Sequence, residues 1–260
     1  MLTRTQIQRF AHRNGIGIQA QERDYIQHML LYAIYSHTRD LVFKGGTALR
    51  IVYKGNRFSE DLDFNGTYPV EKLKSAWGNA LNELGGFGVY AEIRNEWQSD
   101  TGYSFDVSYR GPLYDGRDRT NGKVRVDINL RPENVDTQRE LISAEYDDLR
   151  PFVVIVLTPA HLLAEKIRAL LVRGKARDVY DIWLLKNRGA SLQKGLAQQK
   201  MQLYGAQITR QLLDEALLKS AKDWDRDLGA LLPGGIRWEE VAGQLAPFWE
   251  GLFQDDNPDI

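Results

Sequence analysis

Apolar and polar positions follow two different periods along this chain, and the change of period divides it. From Gln19 to Tyr35, Ile26, Met29, Leu30, Ala33 and Ile34 recur at helical spacing, which predicts a helix. Leu41–Lys44 is a short apolar run stopped by Gly45-Gly46, the pattern of a buried strand entering a tight turn, and Thr47–Val52 then reads as the start of a helix. Asp61–Phe64 alternates at period two and ends at Asn65-Gly66, predicting a strand. Pro69–Leu84 is amphipathic at helical period and closed by Gly85-Gly86. Val89–Arg94, Ser104–Tyr109 and Lys123–Leu130 alternate again, giving three further strands, with the polar stretch Asp115–Gly122 as a hairpin-like loop.

After Arg150 the period changes. Phe152–Leu157 is one last extended run, and Thr158-Pro159 then supplies an N-cap followed by proline at the first helical position. Helices are predicted at Pro159–Arg173, Ala176–Asn187, Leu192–Tyr204, Thr209–Lys222 and Trp238–Phe253, with a frayed tail over Asp255–Ile260. A mixed α/β half over residues 1–150 therefore precedes a helical half over residues 151–260.

Composition narrows the chemistry. The 260 residues carry 34 basic and 35 acidic side chains, so no strongly basic surface coats nucleic acid as a whole. Zero cysteines exclude a disulfide framework, a zinc–thiolate site, an iron–sulfur cluster and a thiol nucleophile. No apolar run approaches the ~18 residues of a membrane span, and Met1–Gln6 lacks the apolar core of a signal peptide, so a cytoplasmic protein is expected. The four histidines are scattered without metal-ligand spacing. Charge is uneven: seven basic residues stand against three acids between His161 and Arg188, and acids dominate from Gln211 onward. That pattern fits either two helical faces that pair with each other or a local anion site in the basic stretch.

The densest chemistry is Gly45-Gly46-Thr47 followed by Asp61-Leu62-Asp63. A strand, a glycine turn, a helix and a return strand bring these two segments together, and Asp61 and Asp63 face one side of their strand. Two carboxylates so close repel unless a cation neutralises them, and an all-oxygen pair suits Mg²⁺ completed by phosphates and water. The glycines let backbone N–H groups approach a phosphate, and Thr47 adds a hydroxyl at a helix start. Asp127 alternates with Val126 and Ile128. It is either the solvated face of an amphipathic strand or a third carboxylate, acting as metal ligand or as base for an attacking hydroxyl. Arg57, four residues before Asp61, offers a planar fork suited to phosphate oxygens. Tyr180 and Trp183 are either core or a surface on which a base stacks.

Phe43–Arg50 followed by Arg57–Phe64 resembles the AbiEii/AbiGii family of nucleotidyltransferase toxins, within the DNA polymerase β-like nucleotidyltransferase superfamily. Glu22–Tyr25 upstream, and Lys166–Ala169 and Arg177–Ile182 downstream, are similar to further family motifs, so the likeness spans roughly residues 20 to 190. Thr47 stands where many superfamily members carry serine. The resemblance implies an α+β fold: a polymerase β-like core with a mixed sheet flanked by helices, followed by a C-terminal helical domain that contributes to the active site. It implies that Gly45, Gly46, Thr47, Arg57, Ser59, Lys166 and Asp178 bind nucleotide, that Asp61, Asp63 and Asp127 hold Mg²⁺, and that Lys166 and Asp181 complete the catalytic set. Asp178 and Asp181 share a helix face, and spacing alone does not separate them; Asp181 is preferred as the late acid.

The implied reaction is transfer of a nucleoside monophosphate from a nucleoside triphosphate to RNA, the tRNA 3′ end, by a toxin paired with a cognate antitoxin. Phosphorylation of Ser59 would place negative charge beside the metal ligands, a route open to an antitoxin acting as a kinase. A small-molecule nucleotidyltransferase and a toxin that sequesters its partner are the alternatives.

Overall fold

The computed structural model describes residues 1–67 and 69–253, so the tail expected over Asp255–Ile260 lies outside them. The chain forms two compact units, Met1–Leu157 and Thr158–Ile260.

In the first unit, α1 (Arg4–Asn14) and α2 (Ile18–His37) lead into β1 (Val42–Lys44), α3 (Gly45–Ile51), β2 (Asp61–Asn65) and α4 (Val70–Gly86). Next come β3 (Tyr90–Ser99), β4 (Gly102–Arg110), β5 (Gly122–Asn129), β6 (Thr137–Ile142) and β7 (Phe152–Leu157). Among the described residues the strands form one seven-stranded sheet in the order β3-β4-β5-β2-β1-β7-β6. The β2–β5 and β1–β7 pairs are parallel, and the remaining pairs are antiparallel. Because Phe152–Leu157 pairs in this sheet, the first unit runs to Leu157 rather than ending at Arg150.

Period-two alternation gives the sheet two unlike faces. Phe43, Leu62, Phe64, Phe105, Val124, Val126, Ile128, Val154 and Val156 are buried on one of them. Trp77 of α4 closes over that face between Phe64 and Phe105, with ring centroids 6.0 and 5.3 Å away. Each such buried side chain contributes about 1.5–3 kcal/mol relative to exposure. The opposite face carries the polar residues, and the functional candidates of this unit lie on it.

α2 is buried on several sides, and its polar residues are therefore paired. Asp24 accepts from Tyr146 Oη at 2.6 Å and from Arg50 Nε at 3.3 Å. Gln27 Nε2 donates to the Ser59 carbonyl at 3.1 Å, and Arg23 pairs with Glu60. Arg23 of the Glu22–Tyr25 motif and Gln27 one turn on thus anchor the segment that leads into Asp61.

The structure adds two elements that periodicity did not predict. α1 is mostly polar and buries only Ile7 and Ala11, but Thr3 and Gln6 form a reciprocal capping box at its start, and Gly15 ends it at φ 62°. β6 is an edge strand of largely polar composition. The expected loop Asp115–Gly122 contains a single 3-10 turn, Asp118–Thr120.

The second unit contains, among its described residues, α5 (Pro159–Arg173), α6 (Ala176–Asn187), α7 (Lys194–Gln202), α8 (Arg210–Leu228) and α9 (Trp238–Gly251). Pro159 opens α5, and Gly174 closes it at φ 59°. α8 runs to Leu228, past the expected end at Lys222.

Candidate active site

On the polar face of the sheet, strand register aligns the acidic residues. β2 and β5 run parallel with Asp63 opposite Asp127 and Asp61 opposite Arg125, and residues opposite one another point to the same face. The row through Asp63 continues to Lys44 on β1 and, beyond Asp127, to Ser104 on β4. Asp61, Asp63 and Asp127 therefore share one side of the sheet, above the apolar layer formed by Leu62, Phe64, Val126 and Ile128. Thus Asp127, with a side chain 47% exposed, is both on the solvated face of an amphipathic strand and beside the pair on β2.

The glycine turn meets this row. Gly45 has φ +76°, and a Cβ there would overlap the Asp63 carboxylate, so glycine is required both for the backbone conformation and for the space. Gly46 likewise makes room: a Cβ would press on the Arg57 guanidinium and lie 2.8 Å from Ser59 Oγ. Arg57 is buried and donates from Nη1 to the Phe58 carbonyl at 3.0 Å. Thr47 is fully buried, and its hydroxyl donates to the Asp61 carbonyl. In this structure that hydroxyl ties α3 to β2 instead of facing outward. Gly45, Gly46, Arg57 and Ser59 are thus grouped with Asp63.

Two neighbours on this face were not singled out from the sequence. Arg125 donates to Asp127 Oδ1 at 3.4 Å, to Asp106 Oδ1 at 3.3 Å and to Ser104 Oγ at 2.8 Å. Asp106 also accepts from Asn95 at 2.8 Å and lies 3.6 Å from Lys123. Burial alone would raise the Asp106 pKa, but Asn95, Arg125 and Lys123 outweigh it and hold the carboxyl below its usual range. The alternation of β4 and β5 was legible; the pairing that brings Asp106 beside Arg125 required the sheet order.

Oxygen is the donor type this face offers a cation. Among the described residues no three His, Cys, Asp or Glu side chains gather into a metal-holding group. One or two carboxylates completed by phosphate and water are what Mg²⁺ takes, in contrast to the all-protein cage typical of Ca²⁺. The closely set Asp61 and Asp63 suit that arrangement.

The second unit holds its own charged cluster. Lys166, Asp178 and Asp181 are all buried. Lys166 Nζ lies 2.7 Å from Asp181 Oδ2 and 3.4 Å from Asp178 Oδ1. Arg173 closes on Asp178 through two bonds of 2.7 Å. Burial would raise the Asp178 pKa, yet Lys166 and Arg173 prevail and lower it. Asp178 is thus held by a two-point clamp, whereas Asp181 meets the tip of Lys166. Tyr180 is buried and packs against Trp183 with centroids 5.5 Å apart, and Trp183 Nε1 donates to Gln244 at 2.7 Å, which places both in the helical packing.

Solved structures share this fold. MenT4, a nucleotidyltransferase toxin from Mycobacterium tuberculosis H37Rv, is 21% identical and superposes with a TM-score of 0.73 over 99% of this chain and 92% of its own. JHP933 from Helicobacter pylori is 19% identical, with a TM-score of 0.62 over 91% of this chain and 93% of its own. No curated protein matches the chain. Residues 30–244 match the family described as "Nucleotidyl transferase AbiEii toxin, Type IV TA system", and the chain therefore belongs to the AbiEii family of nucleotidyltransferase toxins, enzymes of type IV toxin–antitoxin systems.

Proposed function

We propose that this nucleotidyltransferase uses Mg²⁺ to transfer a nucleoside monophosphate from a nucleoside triphosphate to the 3′ end of tRNA, halting translation until its antitoxin intervenes. The reading rests on one observation above all: Asp63 stands opposite Asp127 in register, with Asp61 on the same face and the Gly45 backbone against Asp63. No described helix is long and apolar enough to cross a membrane, and the reaction is assigned to the cytoplasm, where both substrates are found.

In this scheme Asp61 and Asp63 would hold Mg²⁺ as a pair, and Asp127, which does not join them in a three-carboxylate group, is the base. Bound Mg²⁺ supplies neutralisation of the charge that develops on the phosphates. The Gly45-Gly46 backbone, Arg57 and Ser59 receive triphosphate oxygens, with Thr47 fixing the turn from behind. The family resemblance assigns Lys166 to the nucleotide phosphates and Asp181 as the late acid, and within the second unit Asp178 keeps Lys166 in place. The acceptor hydroxyl oxygen bonds to the α-phosphorus as the bond to the β-phosphate breaks. Pyrophosphate leaves, and the hydroxyl proton passes to Asp127. Alignment and electrostatics supply the rate, without a covalent enzyme intermediate.

Incubating purified protein with Mg²⁺, each labelled nucleoside triphosphate in turn and total tRNA tests this reading. Labelled tRNA is expected from the wild type, with a loss of ~10³-fold or more in Asp63→Ala. Absence of label on tRNA, label on small-molecule acceptors only, or an Asp63→Ala variant that labels normally would overturn it. Growth arrest that survives both Asp61→Ala and Asp63→Ala would point instead to sequestration.

A further inference from the structure

β3 contains an irregularity that decides which of its side chains joins the polar face. Arg94 pairs with Asp106, but the next pair is Trp97 with Ser104, so β3 advances three residues while β4 advances two. The extra residue is a bulge, and Asn95 within it has φ +51°. Without the bulge Glu96 would face Ser104. With it, Glu96 turns to the opposite side, where Lys74 Nζ meets it at 2.7 Å and Tyr103 Oη donates to it at 2.9 Å. Trp97 takes the vacated position and is 56% exposed. Its Cζ3 edge lies over Gly102 of β4, about 3.5 Å from where a Cβ would stand.

That position lies in the cross-strand row that runs Asp63, Asp127, Ser104, Trp97. At ~4.8 Å per strand, Trp97 is about 10 Å from Asp127 along the row. Folding leaves a tryptophan exposed here although an unbulged strand would have presented a carboxylate.

We propose that Trp97 is the stacking platform for a base of the single-stranded 3′ end of the acceptor RNA. This inference rests on the RNA-transfer reading above and adds a side of approach to it. In-line displacement puts the attacking oxygen and the leaving pyrophosphate on opposite sides of the α-phosphorus. The triphosphate side is assigned to Gly45, Gly46 and Arg57, next to β1 and β2. The acceptor then enters across β5, β4 and β3, past Asp127, and Trp97 stands on that path. A distance of about 10 Å suits a base about one or two nucleotides back from the reacting hydroxyl of an unstacked strand. On the same face, in neighbouring rows, Arg94 pairs with Glu92 and Lys123 lies 3.6 Å from Asp106, so the cations beside the path are partly neutralised and stacking on Trp97 carries the contact. An indole stacks on any base, so the platform selects for single-stranded RNA and not for sequence.

The full chain is compared with Trp97→Ala and Trp97→Phe in two assays. In nucleotide transfer to tRNA, Trp97→Ala should raise KM for tRNA about tenfold or more, with KM for the triphosphate changed less than about twofold. Trp97→Phe should recover most of the loss. In a binding assay without triphosphate, a short single-stranded oligoribonucleotide should quench indole fluorescence of the wild type more than that of Trp97→Ala, and a blunt RNA duplex should not. An unchanged KM for tRNA in Trp97→Ala, or a rise confined to the triphosphate, overturns the inference while leaving RNA transfer intact. If the wild type labels no tRNA, the transfer reading fails; Trp97-dependent quenching by the oligoribonucleotide would still support the platform, and its absence would remove both.

Discussion

Two N–H groups of Arg173 close on Asp178, and Lys166 reaches the same carboxylate at 3.4 Å while touching Asp181 at 2.7 Å. Helical spacing set both acids on one face of α6 and could not separate them. The discriminating partner comes from the end of α5, across the Gly174 corner, where α6 periodicity carries no information. A two-point clamp on a buried carboxylate fixes its charge and geometry, which suits Asp178 to positioning Lys166. Because the folded pKa of Asp178 is lowered, its stabilisation is fully present above the unfolded value of about 3.9 and is lost only as pH falls through the lower folded value. Asp178→Asn should therefore lower stability by about 3 kcal/mol at neutral pH, since the buried Lys166 and the half-exposed Arg173 lose a counter-charge. Urea midpoints of wild type and variant should keep that gap down to about pH 4 and converge in stronger acid. Equal midpoints at neutral pH, or convergence already near about pH 6, would contradict the assignment.

Among the elements, those that bury one clean face were legible, and those governed by their neighbours were not. α1 presents too few apolar residues for a period to emerge, although its capping box and terminal glycine were readable signals. Among the described residues β6 pairs only with β7 and leaves Leu141 64% exposed, so its alternation is too weakly apolar to mark a strand. β3 was expected to end at Arg94 because the alternation breaks there; the strand continues, and the break is the bulge. Deleting Asn95 tests what the bulge does. The deletion sets two residues of β3 against two of β4, so Trp97 stays opposite Ser104 and Glu96 stays on the side of Lys74 and Tyr103. Loss of the Asn95 bond to Asp106 should cost only about 1 kcal/mol. KM for tRNA should match the wild type, because Trp97 keeps its face. A deletion variant that folds and shows the KM of Trp97→Ala would mean that the bulge itself, and not the position of Trp97 alone, serves the acceptor.

For the molecule as a whole, the change from period two to helical period marked the two-part division, while the order of strands stayed hidden. That order depends on pairings between segments far apart in sequence, such as β2 with β5, and no local pattern encodes them. The glycine corner, the return strand and Asp127 were readable as residues; only the sheet order set Asp63 opposite Asp127 and brought Arg125 and Asp106 alongside. The division also fixes how the proposed machinery is shared. Among the described residues the main apolar cluster draws on positions between Leu2 and Val156, so the first unit contains a core of its own. Lys166, Asp178 and Asp181 belong to the second unit, where they satisfy one another's charge. A fragment of residues 1–157 should therefore melt cooperatively, because its sheet and covering helices are complete. It should nevertheless fail to label tRNA, because the cation and the late acid assigned to the nucleotide are absent. Thermal melting followed by circular dichroism checks the first expectation, and labelled-nucleotide transfer checks the second. Wild-type labelling by the fragment would confine catalysis to the sheet face and reduce the Lys166 cluster to a structural network. A fragment that does not fold would mean instead that the second unit is needed to complete the first.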